Sequence, residues 1–99
     1  MIIVAGTARI PPENLARWRD AAKVVIAATR MEAGCRVYSF AEDIVEPGLV
    51  RIFEIWETRA ALDAHGATPH IAVWRSVLAE IAAFDRELKT YEAAEGKPL

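Results

Sequence analysis

The chain has 99 residues, a hydrophobic fraction of 54%, one cysteine and a formal net charge of −2. A chain of this length predicts one domain over residues 1–99, and its interleaved arginines and acids give no reason to expect nucleic acid or a membrane as a partner. No apolar run approaches the ~20 residues of a membrane span, and a single cysteine excludes an intrachain disulfide.

The N-terminal third predicts a strand followed by a helix. Ile2–Ile10 is rich in β-branched and small residues and stops at two prolines, which cannot continue a strand ladder. This start has no basic region or cleavage pattern of a signal peptide, so we expect a mature cytoplasmic protein. From Pro12, apolar residues recur at steps of three and four, which predicts an amphipathic helix of about five turns that stops near Gly34.

The middle of the chain predicts a β-hairpin. Cys35–Glu42 and Leu49–Glu57 alternate in side-chain size or polarity, and residues 43–48 carry the proline and glycine of a turn. Both faces of the second strand are largely apolar, whereas an exposed sheet face is normally polar. A second subunit that covers this face is the simplest explanation, and a ligand cavity is the other destination for surplus apolar surface.

The C-terminal part predicts two helices and a last strand. Thr58 can cap a short helix that ends at Gly66, and Thr68 with Pro69 can begin a longer one. Its apolar stripe comprises Ile71, Trp74, Val77, Leu78, Ile81, Ala82 and Phe84. A short strand is expected at about Leu88–Ala93, before a tail that should fray. The order β-α-β-β-α-β predicts an α+β ferredoxin-like fold, a four-stranded antiparallel sheet with helices on one face.

Chemistry is most concentrated between Phe53 and His70. Glu54 and Trp56 project from one face of a central strand, and burial tends to raise a carboxyl pKa, so Glu54 is a candidate general base. The alternative is a structural hydrogen bond, or an ion pair with Arg36 or Arg51. The phosphate-loop, dinucleotide, zinc-ribbon and nucleophile-elbow signatures are absent from the sequence.

Both histidines of the chain fall in this stretch. His65 lies near the end of the short helix and His70 in the first turn of the next, so they need not share a face; each is a candidate catalytic group or a structural residue. An iron site of Glu54, His65 and His70 is conceivable. Because these ligands straddle a helix break and meet no known spacing rule, we predict no metal.

Aromatic residues on the two hairpin strands suit a flat ligand. Tyr38, Phe40, Phe53 and Trp56 can form the wall of a pocket or part of the core. Trp18 and Trp74 lie on helix stripes, so we expect them mainly in the core. Cys35 is expected to be a small buried hydrophobe, because no partner in the sequence argues for its activation.

The chain resembles the antibiotic biosynthesis monooxygenase superfamily of dimeric α+β barrels. The resemblance spans nearly the whole chain, and its most specific part is the succession Glu-x-Trp, His, Thr-Pro-His. The residues that carry it are Arg30–Phe40, Glu42, Asp43, Pro47, Phe53–Trp56 and Ala64–His70.

The resemblance implies a homodimer with one pocket per subunit, lined by Tyr38, Phe40, Phe53, Glu54, Trp56, His65 and His70. It implies a cofactor-free monooxygenase that binds a quinol or phenol, removes its proton with a histidine or Glu54, and lets the anion reduce O₂. Two alternatives are a small-molecule isomerase, whose anionic substrate would need Arg9, Arg36 or Arg51 in the pocket, and a non-catalytic ligand-binding dimer. Haem-degrading relatives use an asparagine on the first strand, and this first strand has none.

Overall fold

A computed structural model describes all 99 residues and contains one four-stranded antiparallel sheet with three α-helices on one of its faces. The elements are β1 (Ile2–Arg9), α1 (Leu15–Thr29), β2 (Cys35–Glu42), β3 (Leu49–Trp56), α2 (Arg59–Gly66), α3 (Pro69–Glu80) and β4 (Phe84–Glu92). The strand order β2-β3-β1-β4 confirms the ferredoxin-like prediction. None of the three helices combines the length and apolar composition that a bilayer crossing requires.

The register of the sheet decides which side chains meet the helices. On β3, Glu54 pairs with Tyr38 of β2 on one side and Val4 of β1 on the other. Paired residues share a face, so these three side chains point the same way. All three are buried, as is Trp56 two residues further along β3, and this is the helix-covered face.

Helix α1 begins later than the sequence predicts. Residues Pro12–Asn14 form a short 3₁₀ turn, and the α-helix runs only from Leu15 to Thr29, about four turns. The side chain of Asn14 does not cap α1 but donates to the carbonyl oxygen of Ile81 at 2.9 Å. The first turn is therefore fastened to the end of α3, which brings α1 and α3 together over the sheet.

The boundary between α3 and β4 differs from the prediction. The helix ends at Glu80, so Ala82 and Phe84 are not on its stripe, although Ile81 is buried in the core just beyond it. The strand β4 starts at Phe84 rather than near Leu88. Ala82, in the turn before it, has a positive φ of 59°, and Asp85, inside β4 where the pairing with β1 shifts register, has a φ of 49°. Non-glycine residues seldom adopt this conformation.

The opposite face of the sheet has no helix over it and carries an apolar patch. Phe53 of β3 and Tyr91 of β4 are 42% and 50% exposed, and Ile3 and Ile55 between them are only half-buried. The register places Ile3 beside both Ile55 and Tyr91, so these side chains form a continuous surface. We call this surface the bare face.

Candidate functional site

A cavity of about 640 Å³ lies between α3 and the helix-covered face of the sheet. Its lining is mostly apolar and comes from all four strands and all three helices, with Trp18, Phe40, Ile52, Trp74 and Leu78 among its members. A volume of this size holds a small organic molecule of two or three rings. The polar groups of the lining are few, so they decide which chemistry the cavity supports.

Glu54 is the buried carboxyl group of this cavity. It is 7% exposed, and its Oε1 atom accepts a hydrogen bond from the indole Nε1 of Trp56 at 2.9 Å. Burial raises the pKa of Glu54, and the Trp56 hydrogen bond and nearby His65 offset only part of that effect. Neither Arg36 nor Arg51 pairs with it: Arg36 bonds Glu95, and Arg51 bonds Asp43, at the surface. Glu54 can therefore carry a proton more readily than an ordinary carboxyl group.

His65 lies against the aromatic part of the same lining. Helix α2 places it there, after Thr58 caps the helix by accepting a hydrogen bond from the amide of Ala61 at 3.1 Å. Its ring centroid is 4.8 Å from that of Trp56 and 5.2 Å from that of Tyr38, and the residue is 6% exposed. This packing fixes the plane of the imidazole.

A second carboxylate, Glu32, was not among the predicted site residues. Its Oε2 atom lies 2.7 Å from Nδ1 of His65 and 2.8 Å from Nε2 of His70. The turn after α1 positions it, because its amide donates to the carbonyl oxygen of Thr29 and its own carbonyl accepts from Cys35. The only sequence signal is its place in the segment Arg30–Phe40 that carries the family resemblance.

The contacts of Glu32 determine the tautomer of both histidines. An ionised carboxylate only accepts hydrogen bonds, so Nδ1 of His65 and Nε2 of His70 must each carry a hydrogen. A neutral His65 then has its lone pair on Nε2, the ring atom that Glu32 leaves free. His65 lines the cavity, whereas His70 and Glu32 do not. The structure brings the histidines together on Glu32 rather than on Glu54.

Of the four aromatic residues predicted to bind substrate, the structure brings three to the helix-covered face. Tyr38 and Phe40 line the cavity, Trp56 lies under His65, and Phe53 is on the bare face and does not reach the cavity. Burial, and next the Glu54 carboxyl group, raise the pKa of the Tyr38 phenol, which keeps it protonated. Trp18 and Trp74, expected mainly in the core, are buried and line the cavity as well.

One ligand atom from each of three residues, Glu32, His65 and His70, lies within 4.8 Å of the other two. This set, and not the predicted one with Glu54, therefore has the geometry of a candidate metal site. Two imidazoles and a carboxylate suit a divalent transition metal. In the structure the three groups satisfy one another through hydrogen bonds instead. The arrangement equally suits an oriented proton acceptor, in which a carboxylate holds one ring nitrogen of a histidine and leaves the other free.

Comparison with known proteins finds the antibiotic biosynthesis monooxygenase family, whose model matches residues 1–77. An uncharacterized Synechocystis protein is 35% identical over 98 residues, which are 99% of this chain and 67% of that protein. "Putative monooxygenase Rv0793" of Mycobacterium tuberculosis is 36% identical over 80 residues, 79% of this chain and 78% of that protein.

Solved structures agree with these sequence matches. The crystal structure of "a putative antibiotic biosynthesis monooxygenase" from Deinococcus radiodurans has a TM-score of 0.92 and 31% identity and covers 100% of this chain and 98% of its own. The structure of Rv0793 has a TM-score of 0.78 at 27% identity, over 98% of this chain and 96% of its own.

Proposed function

Because the chain belongs to the antibiotic biosynthesis monooxygenase family, we propose that it is a cofactor-independent monooxygenase that oxidises a quinol or phenol with O₂. The observation that carries the proposal is the imidazole of His65, which lines an aromatic cavity while its Nδ1 is held 2.7 Å from Glu32. The free Nε2 can then take the proton of a hydroxyl group on a bound ring.

The reaction needs only the substrate, O₂ and a base. His65 removes the hydroxyl proton, and the electron-rich anion transfers one electron to O₂. The resulting carbon radical and superoxide combine into a C–O bond, and the hydroperoxide loses water as the carbon gives up its hydrogen. A quinol thus becomes a hydroxyquinone plus water, and a phenol with a free para position becomes a quinone plus water. The apolar lining excludes bulk water from these intermediates.

Glu54 is available as the donor of the second proton, and Tyr38 as a hydrogen-bond donor to the substrate. Burial raises the pKa of Glu54, so a protonated Glu54 can donate to the leaving hydroxide when the hydroperoxide breaks down. Tyr38 keeps its phenolic hydrogen and can donate a hydrogen bond to the substrate oxygen. His65 and Glu54 therefore supply a base and an acid in one cavity, which is the pairing this chemistry requires.

Oxygen uptake with labelled gas tests the proposal. Purified protein with 1,4-dihydroxynaphthalene or menadiol should consume O₂ faster than buffer, and with ¹⁸O₂ the hydroxyquinone product should carry one labelled oxygen. Catalase should release no O₂ afterwards, because the second oxygen atom leaves as water. Uptake no faster than buffer across a panel of quinols and phenols would sink the oxygenase assignment.

An isomerase is the second candidate, and the same acid and base favour it. A neutral imidazole and a buried carboxyl group in one cavity can move a proton between neighbouring carbons of a hydroxyketone. Arg9, Arg36 and Arg51 do not bind its substrate in the cavity, because each is paired with an acid at the surface. Turnover of a hydroxyketone without O₂ consumption would favour this chemistry. A ligand-binding role would be favoured if His65→Ala and Glu54→Ala left ligand binding intact and no turnover were found.

The active protein is a homodimer in this proposal, with the two bare faces packed against each other. Phe53 and Tyr91 are the large side chains exposed on that face, so a charge introduced at Phe53 would be buried in the interface and should prevent association. Phe53→Glu should give a monomer in light scattering at micromolar concentration, while the wild type gives a dimer. Val73→Glu, at a position on α3 that is 63% exposed, is the matched control and should remain dimeric. A monomeric wild type would contradict the proposal.

A further inference from the structure

The cavity has an open side at β4. The helices lie over the other strands, whereas every residue of β4 except Leu88 is exposed. On β4, the residues that line the cavity are Arg86, Leu88, Lys89 and Thr90. Arg75 of α3 lines it as well. The lining therefore carries two guanidinium groups, one from the helix layer and one from β4, and the ammonium group of Lys89.

These two arginines differ from most others in the chain. Five of the nine arginines are paired with carboxylates at the surface: Arg9, Arg17, Arg19, Arg36 and Arg51. Arg75 donates only to the carbonyl oxygen of Gly66, at 3.2 Å, and Arg86 has no hydrogen-bond or ion-pair partner. Although the chain has 14 acidic residues, neither Arg75 nor Arg86 forms an ion pair with a carboxylate.

The remaining acid of the cavity does not neutralise Arg86. Glu54 is bonded to Trp56, and burial biases its carboxyl group towards the uncharged form. Arg86 and Glu54 line the same cavity, and the positive charge of Arg86 lowers the pKa of Glu54 less than burial raises it. An anionic group on the substrate would meet a guanidinium, the best side-chain match for a planar carboxylate.

Resting on the proposed function, we infer that Arg86, together with Arg75, forms a subsite for a carboxylate, so that the substrate is a hydroxylated aromatic carboxylic acid. Its rings lie among Trp18, Phe40 and Trp74, its hydroxyl group faces His65, and its carboxylate lies at the open side against Arg86. A cavity of about 640 Å³ accommodates a bicyclic acid of this kind.

A pair of matched ligands tests the subsite without turnover. 1-Hydroxy-2-naphthoate and 1-naphthol differ only by the carboxylate, and their binding can be followed by calorimetry under anaerobic conditions and by quenching of the cavity tryptophans. Wild-type protein should bind the acid about tenfold more tightly, since a hydrogen bond to a charged group contributes about one factor of ten to affinity. The acid should also displace 1-naphthol, because both occupy one cavity.

Variants assign the preference to Arg86. Arg86→Gln should weaken binding of the acid about tenfold and change that of 1-naphthol less than twofold, and Arg75→Gln should show a smaller loss of the same kind. Arg17→Gln removes the same charge from α1, where Arg17 pairs with Glu80 at the surface, and should change neither. Equal affinity of the wild type for the two ligands, equal losses for both in Arg86→Gln, or failure of the acid to displace 1-naphthol would overturn the subsite.

The experiment separates this inference from the proposed function. If Arg86 gives the preference for the acid but no phenol or quinol is oxygenated, the subsite stands and the monooxygenase assignment fails. If ¹⁸O enters the product of 1,4-dihydroxynaphthalene but Arg86 does not raise the affinity for 1-hydroxy-2-naphthoate, the monooxygenase assignment stands and the subsite fails.

Discussion

The two carboxyl groups near His65 are held in opposite ways. Glu54 lies on a strand, inside the cavity, with one indole donor and little solvent, and burial raises its pKa. Glu32 lies in a turn outside the cavity, and one of its oxygens meets ring nitrogens of two histidines. Glu54 is thus suited to holding a proton, and Glu32 to holding a charge that orients an imidazole. His65 therefore lies between two carboxyl groups with different roles, Glu54 inside the cavity as an acid and Glu32 outside it as an anion.

Replacing His65 should have the largest effect on turnover. His65→Gln keeps a side chain that can bond Glu32 but removes the basic ring nitrogen, so kcat for oxygen uptake should fall by about two to three orders of magnitude. Binding of 1-naphthol should change little, because most of the lining is untouched. A variant with kcat within threefold of the wild type would transfer the role of base to another group.

Replacing Glu32 should have the next largest effect. Glu32→Gln removes the charge and one strict acceptor, so Nδ1 of His65 is no longer the only ring nitrogen that favours the hydrogen. We expect kcat to fall by about tenfold to a hundredfold with KM nearly unchanged, since the base remains present but is less often in the required tautomer. Glu32→Asp, which keeps the carboxylate, should recover part of the rate.

The control for Glu32→Gln is the same substitution at an exposed acidic residue. Glu57→Gln removes a charge from an exposed position that lies within 3.8 Å of Arg36, and it should leave kcat unchanged. If Glu32→Gln and Glu57→Gln lowered kcat equally, the effect of Glu32 would come from net charge and not from orientation of His65.

Sequence reasoning found the first of these two carboxyl groups and missed the second for a physical reason. Alternation along β3 shows that Glu54 and Trp56 share a face, because a strand repeats every two residues. Glu32 meets its partners 33 and 38 residues later in the chain, from a turn that has no periodicity. Only the packing of three separate segments brings Glu32 and the two histidines together, and no local sequence pattern indicates this contact.

The same distinction explains the other differences. Phe53 and Glu54 had to face opposite sides, but alternation alone does not say which side the helices cover. The structure puts Phe53 on the bare face. The turn before β4 has a positive φ at Ala82, and the strand itself has one at Asp85; neither residue type marks such a conformation as a glycine would. The order of helices and strands along the chain, by contrast, followed from hydrophobic pattern and turn residues.

His70 should matter less than Glu32. It lies outside the cavity and donates to the same oxygen as His65, so it supports the carboxylate without touching the substrate. His70→Ala leaves Glu32 one donor and should lower kcat about threefold to tenfold, on the scale of one ordinary intramolecular hydrogen bond. Steady-state oxygen uptake measures this. A loss as large as that of His65→Gln would instead make His70 the proton acceptor.

The smallest effect concerns stability and belongs to Glu54. Burial raises the pKa of Glu54 in the folded protein. Above the ordinary pKa of a carboxyl group, the unfolded state therefore loses its proton more readily than the folded state, and the free energy of unfolding falls as the pH rises. Below that pKa both states are protonated, and Glu54 does not affect stability. Glu54→Gln keeps an oxygen that can accept from Trp56 but removes this penalty. The variant should be more stable than the wild type at pH 8 and equal to it at pH 4, because the raised pKa destabilises the folded state only where the carboxyl group is ionised. Urea unfolding at the two pH values measures the difference. If Glu54→Gln gained the same stability at pH 8 and at pH 4, ionisation of the Glu54 carboxyl group would not destabilise the folded protein. Glu54 would then lose its role as the acid of the cavity.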